Sequence, residues 1–466
     1  MTPSPTRHFD LVVIGTGSGN SLIDESFADK SVAICEQGTF GGTCLNVGCI
    51  PTKMFVYAAD TAMAVRHSAA YGVDSTLDGV RWPDIVSRIF DRRIDPIASS
   101  GEDYRRNRCD NVTVYDGHAT FVGERTIDTG TGAVISADQV VIAAGARPSI
   151  PEIVTDAGVA YYTSDDIMRL PELPRSLVIQ GSGFIACEFA HVFSSLGVEV
   201  TVIGRSDVLL KHLDCEIAER FTKAARSRWD VRLGHPVTTM TATGEDRRGV
   251  EIRFSDGTTC SGDALLVAAG RTPNADRLGL GAAGVDLDGD RVRVDEYGRT
   301  TADGVWALGD VSSPFQLKHV ANHEQRVVSH NLRHPDDLQP FHHSTVPYAV
   351  FSWPQVASVG MTEAEAREAG YDVTVKCQDY GDVAYGWAME DSVGCCKLVA
   401  DRASGLLLGA HLMGAHAPSL VQILVQAMEF GQTVPQLARG QYWIHPALTE
   451  VVENALLGLD FPDRGF

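Results

Sequence analysis

Two cysteines, Cys44 and Cys49, stand five residues apart in GGTCLNVGCIPTK, residues 41–53. On a regular helix, residues at this separation are about 7.5 Å apart in rise and point off a common face, so a disulfide between them would be strained. The backbone must therefore leave the helix between them. Gly48 can take the dihedrals this requires, and Asn46 tolerates them better than most residues. Pro51 suits the first turn of a helix, where its missing N–H has no bond to lose, and MFVYAADTAMAV continues that helix. Cys49 is expected at the helix N-terminus, where the macrodipole and Lys53, one turn on, favour a thiolate. On these residues alone two readings stay open: a reversible redox pair, or two unrelated thiols serving as small apolar side chains.

A glycine-rich turn precedes the pair. FDLVVIGTGSGN runs from an apolar strand into Gly15, Gly17 and Gly19, and a second apolar run, SVAICE, ends at Glu36. The pattern predicts a strand, turn, helix, strand unit, with a pyrophosphate at the helix N-terminus and a ribose hydroxyl on Glu36. Asn20 stands where a small residue is usual, and LIDESFADK is polar for a packed helix. A second copy, SLVIQGSGFIACEFAHVFSSLGVEVTVIGR, supplies Gly181, Gly183 and Ala186. Its second strand ends in Gly204 and Arg205, with Lys211 beyond, where an acid would mark NADH. Cations there attract a 2′-phosphate, so NADPH is expected; the alternative makes Arg205 an ordinary surface residue. Two cradles imply two dinucleotides, most simply FAD in the first and NADPH in the second. VVIAAGARP around Gly145 and LLVAAGRTPN around Gly270 resemble one another and are expected to close the two units. Asp310, in VWALGDV, offers a carboxylate to a ribityl hydroxyl or a cap to the following helix.

The chain of 466 residues, 44% hydrophobic and 21% charged, has the composition of a soluble globular protein of about three domains. A net charge of −21 argues against nucleic acid or anionic membranes as partners. Ten cysteines are too sparse for a secreted disulfide framework, no spacing suggests zinc, and no window is apolar enough to span a membrane. A cytoplasmic location is expected, where a lasting disulfide is a catalytic one. Cys395 and Cys396, adjacent in a strand-like run, should point to opposite faces and act separately. HPDDLQPFHHS, residues 334–344, reads as a polar linker before a C-terminal α+β region that includes the helix SLVQILVQAMEFG.

Taken together, GGTCLNVGCIPTK, GHATF at 117–121, ALGD and HPALTE at 445–450 resemble the pyridine nucleotide-disulfide oxidoreductases of the glutathione reductase and dihydrolipoyl dehydrogenase class, over essentially the whole chain. The resemblance implies an α/β fold with two Rossmann-like dinucleotide-binding domains and a C-terminal α+β interface domain. FAD-binding residues would occupy 1–150 and 275–340, the NADPH domain 151–274 and the dimerisation domain 341–466. It implies Cys44 as the thiol that attacks a substrate disulfide, Cys49 as the charge-transfer thiolate, and Lys53 near the flavin and paired with Glu188. Phe184 would gate the nicotinamide pocket, and His445 with Glu450 would form an acid–base dyad serving the partner subunit's Cys44 in a homodimer. Ser18, Gly42, Thr43, Ala119, Gly145, Asp310 and Leu317 join the expected FAD contacts, and Ile185 and Gly270 those of NADPH.

Within the family, CEQGTFGGTCLNVGCIPTKMFVYAAD, DYGDVAYGWAMED and GQYWIHPAL resemble members that reduce mycothione, the disulfide of mycothiol. That substrate joins a cysteine to an uncharged sugar-inositol unit, so its pocket needs hydroxyl recognition and not the cationic clamps that suit glutathione carboxylates. Tyr442 and Trp443 fit that need, or serve as interface core. The alternatives are an NAD-linked dihydrolipoyl dehydrogenase, a glutathione-type reductase, or a flavin-bearing scaffold with a vestigial redox centre. The extra C-terminal thiol pair of mercuric reductase and the larger thioredoxin reductases has no counterpart in GLDFPDRGF.

Overall fold

A computed structural model describes residues 7–245 and 247–461; the last residues of the GLDFPDRGF tail lie outside the described residues. Arg7–Ile14 is the centre of the first sheet. It pairs in parallel with Val32–Glu36 on one side and Val134–Ile142 on the other. Val112–Asp116 extends the sheet at one edge, Val305–Ala307 adds a parallel strand beside Val134–Ile142, and two short antiparallel strands complete it. The central stretches of the parallel strands, residues 11–14, 32–35 and 140–142, are continuously apolar because both faces are covered there. Ser176–Gln180, Glu199–Gly204, Asp230–Leu233 and Ala264–Val267 form a second, wholly parallel sheet. The third, spanning residues 348–413, is antiparallel and five-stranded, with Ala417–Glu429 and Thr449–Leu457 packed on one face.

Ala146–Pro148 and Arg271–Pro273, the strands that follow the resembling segments around Gly145 and Gly270, pair antiparallel with each other. The chain enters and leaves the second unit through this one ribbon. Cys395 and Cys396 do face apart: the first packs under the second sheet's core, the second in the C-terminal core. The 334–344 stretch is a stapled connection more than a loose linker. Asn331 brackets Gln339 through its amide on both sides, and Phe341 N–H donates to the carbonyl of Glu296.

The first cradle departs from its expected form. Between Ile14 and Val32 there is no α-helix, only the 3-10 turns Gly19–Leu22 and Glu25–Phe27. LIDESFADK buries Leu22, Ile23 and Phe27, but Asp24 accepts the N–H of Ser26 and breaks the chain into short turns. GHATF likewise is strand only from Thr120 onward.

Candidate functional site

The redox loop lies against the first cradle, backbone on backbone. A Cβ added to Gly42 would sit 2.6 Å from Gly17 Cα, and Gly42 has a φ of +68°. A side chain at Gly42 would push the thiols away from the turn. Cys44 belongs to a short helix, Gly42–Asn46, and Cys49 opens the helix Cys49–His67. Gly48 breaks the two apart at φ −130°, ψ −123°. A Cβ there would lie 2.9 Å from the carbonyl of Thr43. Asn46, expected to relax the backbone, instead stays helical and clamps the loop: its amide donates to the carbonyls of Thr39, Phe40 and Gly42.

Cys44 is half-buried, Cys49 exposed, and their thiols are hydrogen-bonded to each other. That bond draws the Cys44 thiol down to about 7; burial opposes the shift, while Lys318 and the N–H groups of Cys49 and Ile50 support it. The same shared proton, together with burial, pushes Cys49 up. The sequence favours a thiolate on Cys49. In the structure the two thiols share one proton: Cys44 is drawn down first by its hydrogen bond with Cys49 and further by the Lys318 charge and the amides of the helix start.

In the first cradle, Gly15 has a φ of +102° and a Cβ there would strike the carbonyl of Ala143. Gly17 and Ser18 continue the turn and Gly19 packs on Ala143. Glu36 closes it: Oε2 accepts from Thr16 N and Oγ1, at 3.0 and 2.6 Å, and Oε1 accepts from Gly38 N. Thr43 is exposed on the short helix, and Ala119 is buried at the entry to its strand. Asp310 sits in the turn Gly309–Val311, its carboxyl pushed up by burial. It does not cap the next helix, Lys318–Arg333, whose N-cap is Leu317. Gly145, at φ +66°, presents bare backbone to open space. A dinucleotide needs this kind of surface, so the residues present fit FAD.

The second cradle has its full helix, Phe184–Ser195, following Gly181 and Gly183. A Cβ on Gly183 or Gly270 would meet nothing within 4 Å, so bare backbone faces open space there as well. Phe184 is exposed at the helix start, with Ile185 half-buried behind it. Arg205 and Lys211 are both exposed, and neither forms an ion pair among the described residues. Between them the chain folds back over the turn, with Leu210 N donating to Ser182 O at 2.8 Å. These residues fit NADPH.

The helices of the thiol pair and the second cradle meet. Lys53 Nζ lies 2.6 Å from Glu188 Oε2, and Glu188 Oε1 accepts the N–H of Phe351 at 2.9 Å. Lys53 also sits 4.5 Å above the Phe351 ring. Further along, His191 Nε2 bonds Asp60 Oδ1 at 2.8 Å. Sequence reasoning singled out neither His191 nor Asp60.

At the C-terminal end, His445 Nδ1 is 2.6 Å from Glu450 Oε1. The imidazole is 71% exposed and the carboxylate largely buried, which fixes the tautomer and leaves Nε2 outward. The His445–Pro446 peptide is cis. Tyr442 is fully exposed beside it, whereas Trp443 donates to Ala438 O and packs toward the C-terminal core. Within one chain the structure brings together the cysteines, the first cradle, Lys53 and Glu188; the dyad stands apart on the surface of the third sheet's domain. Missed from sequence are Lys318 and Arg105, both on the first cradle. A lysine in the first turn of a helix, where the dipole disfavours it, was the available signal for Lys318.

Two dinucleotide cradles, a dithiol at a helix start between them and an exposed His–Glu pair define a flavoprotein disulfide reductase. Residues 9–325 match the family model described as pyridine nucleotide-disulphide oxidoreductase, and 346–456 match that family's dimerisation domain. The chain belongs to this family: it is an oxidoreductase working with FAD and NADPH, and its C-terminal domain is a dimerisation domain. It is 58% identical to mycothione reductase of Mycobacterium tuberculosis, over 97% of this chain and 99% of that one. Glutathione reductase of Burkholderia cepacia is 34% identical, over 95% and 97% of the two chains. Among solved structures, the HOCl-induced flavoprotein disulfide reductase RclA from Escherichia coli superposes with a TM-score of 0.84 at 27% identity, covering 96% of this chain and 99% of that one. Among the described residues, no helix is long and apolar enough to cross a membrane.

Proposed function

We propose that this protein is an NADPH-dependent mycothione reductase acting as a homodimer, with its FAD in the cradle of residues 15–36 and its NADPH at residues 181–211. The observation that carries the reading is the thiol pair, hydrogen-bonded at a helix start and packed against the first cradle. The 58% identity to a mycothione reductase over nearly the full length supports the substrate. Arg205 and Lys211, in place of an acid, support the coenzyme.

Held by the cradle of residues 15–36 beside the thiol pair, FAD would supply the conversion of a hydride from NADPH into the electron pair that opens the Cys44–Cys49 disulfide. The Cys44 thiolate then attacks one sulfur of mycothione, forming a mixed disulfide and expelling one mycothiol as thiolate. His445 from the partner subunit, held by Glu450, protonates that leaving group. The Cys49 thiolate attacks the Cys44 sulfur, releasing the second mycothiol and restoring the intramolecular disulfide. One NADPH and one proton from solvent thus balance each disulfide reduced to two thiols. Lys53, held in place by its ion pair with Glu188 and seated on Phe351, stands one turn beyond Cys49 and favours its thiolate, and Phe184 would cover the nicotinamide site.

Incubation with NADPH and mycothione should release two thiols per NADPH consumed. Turnover no faster than with glutathione disulfide would reject the substrate. Mixed dimers carrying Cys44→Ser and His445→Gln test the shared site. With the two defects on opposite chains, a shared site retains one intact centre; with both on one chain it retains none. A self-contained site would give the reverse.

A further inference from the structure

Lys318 opens the helix Lys318–Arg333. A cation in the first turn opposes the helix dipole, and this one is half-buried with no ion pair among the described residues. Its Nζ instead donates to Ser18 Oγ at 2.8 Å, in the first glycine turn. Ser18 Oγ in turn lies 3.2 Å from Asn322 Oδ1, one helical turn beyond Lys318. The same helix runs along the turn, with Gln325 and Ser329 donating to the carbonyls of Ser21 and Leu22. On the other side, Arg105 donates through Nη2 to the carbonyls of Asn20 and Ile23, at 2.8 and 2.7 Å, and through Nε to Asn20 Oδ1.

This arrangement replaces what the first cradle lacks. In the second cradle the positive end for a phosphate is the start of Phe184–Ser195. In the first no α-helix follows the turn, and its carbonyls are taken up by Arg105 while a lysine from elsewhere reaches its serine. We infer that Lys318 is a binding residue for the cofactor pyrophosphate, standing in at Ser18 for the missing helix N-terminus. Lys318 lies within electrostatic reach of Cys44 and Asp310 but forms an ion pair with neither, and a pyrophosphate on the glycine turn would be the anion in contact with it. The inference rests on the assignment of FAD to this cradle.

The test is titration of deflavinated protein with FAD, followed by flavin fluorescence at several salt concentrations. Lys318→Gln should weaken FAD binding at least about tenfold and flatten its salt dependence, and Lys318→Arg should restore most of both. The reduction potential of the bound flavin should stay at the wild-type value, because the charge acts on the phosphates and not on the ring. If wild-type protein rebinds no FAD, the cradle assignment itself falls. If wild type rebinds and Lys318→Gln matches its affinity and salt dependence, whether or not the flavin potential moves, Lys318 has no such role.

Discussion

The two glycine cradles share a spacing and differ in the segment on the C-terminal side of the turn. After Gly183 the chain is apolar enough to bury a helix against its sheet, with Ala186, Phe189, Ala190 and Phe193 all inside. After Gly19 the chain forms only short turns, and charge from distant residues does the work of a dipole. A dinucleotide site thus depends on positive potential at the turn and tolerates more than one source for it.

Glycine substitutions separate the cradles most sharply. Gly15→Val drives a side chain into the Ala143 carbonyl, so the protein should purify colourless. Gly181→Val, which strikes the Ala268 carbonyl, should keep its yellow flavin yet show no reduction by NADPH in a stopped-flow trace. Loss of flavin from the second variant would merge the two sites. Next in size, Arg205→Glu should lower kcat/KM for NADPH about 10- to 100-fold while leaving NADH within a few-fold, measured as a coenzyme ratio. Equal losses with both coenzymes would detach Arg205 from the 2′-phosphate. Arg105→Gln strips donors from three carbonyl and amide oxygens of the first turn and should cost about 2 kcal/mol in chemical denaturation, with no change in NADPH affinity.

The smallest effect concerns the thiols. With its pKa held near 7, Cys44 is protonated and inert below that pH, and its alkylation by iodoacetamide in the reduced protein should rise through pH 7 and level off above. Cys49→Ala removes the donated hydrogen bond and should move the midpoint upward toward the ordinary thiol value. A midpoint unchanged by that substitution would assign the shift to the helix amides alone.

Much of this was legible in the sequence where the signal is local. GxGxxG-like spacing placed both turns, and Cys44, Gly48, Cys49 and Pro51 announced a broken helix. His445 and Glu450 became legible only through the family motif, since a histidine before proline is usually a turn residue. The hidden part is non-local. No pattern around Asn46 shows that its amide meets three carbonyls of its own loop, nor does residue 105 advertise a partner at residue 20. The missing helix was foreshadowed by the polarity of LIDESFADK, but glycine spacing spoke louder than hydrophobic pattern there. The shared proton of Cys44 and Cys49 was hidden as well, because a sequence gives the helix start without showing how the two sulfurs meet over it.

The paired strands Ala146–Pro148 and Arg271–Pro273 carry one more implication. Because the outgoing and returning chain run side by side, everything between them is grafted at a single point, as a cassette is. Such an insert can be swapped for one of different coenzyme taste without re-threading its host, which gives evolution, and protein engineers, a ready seam along which to rewire the electron supply.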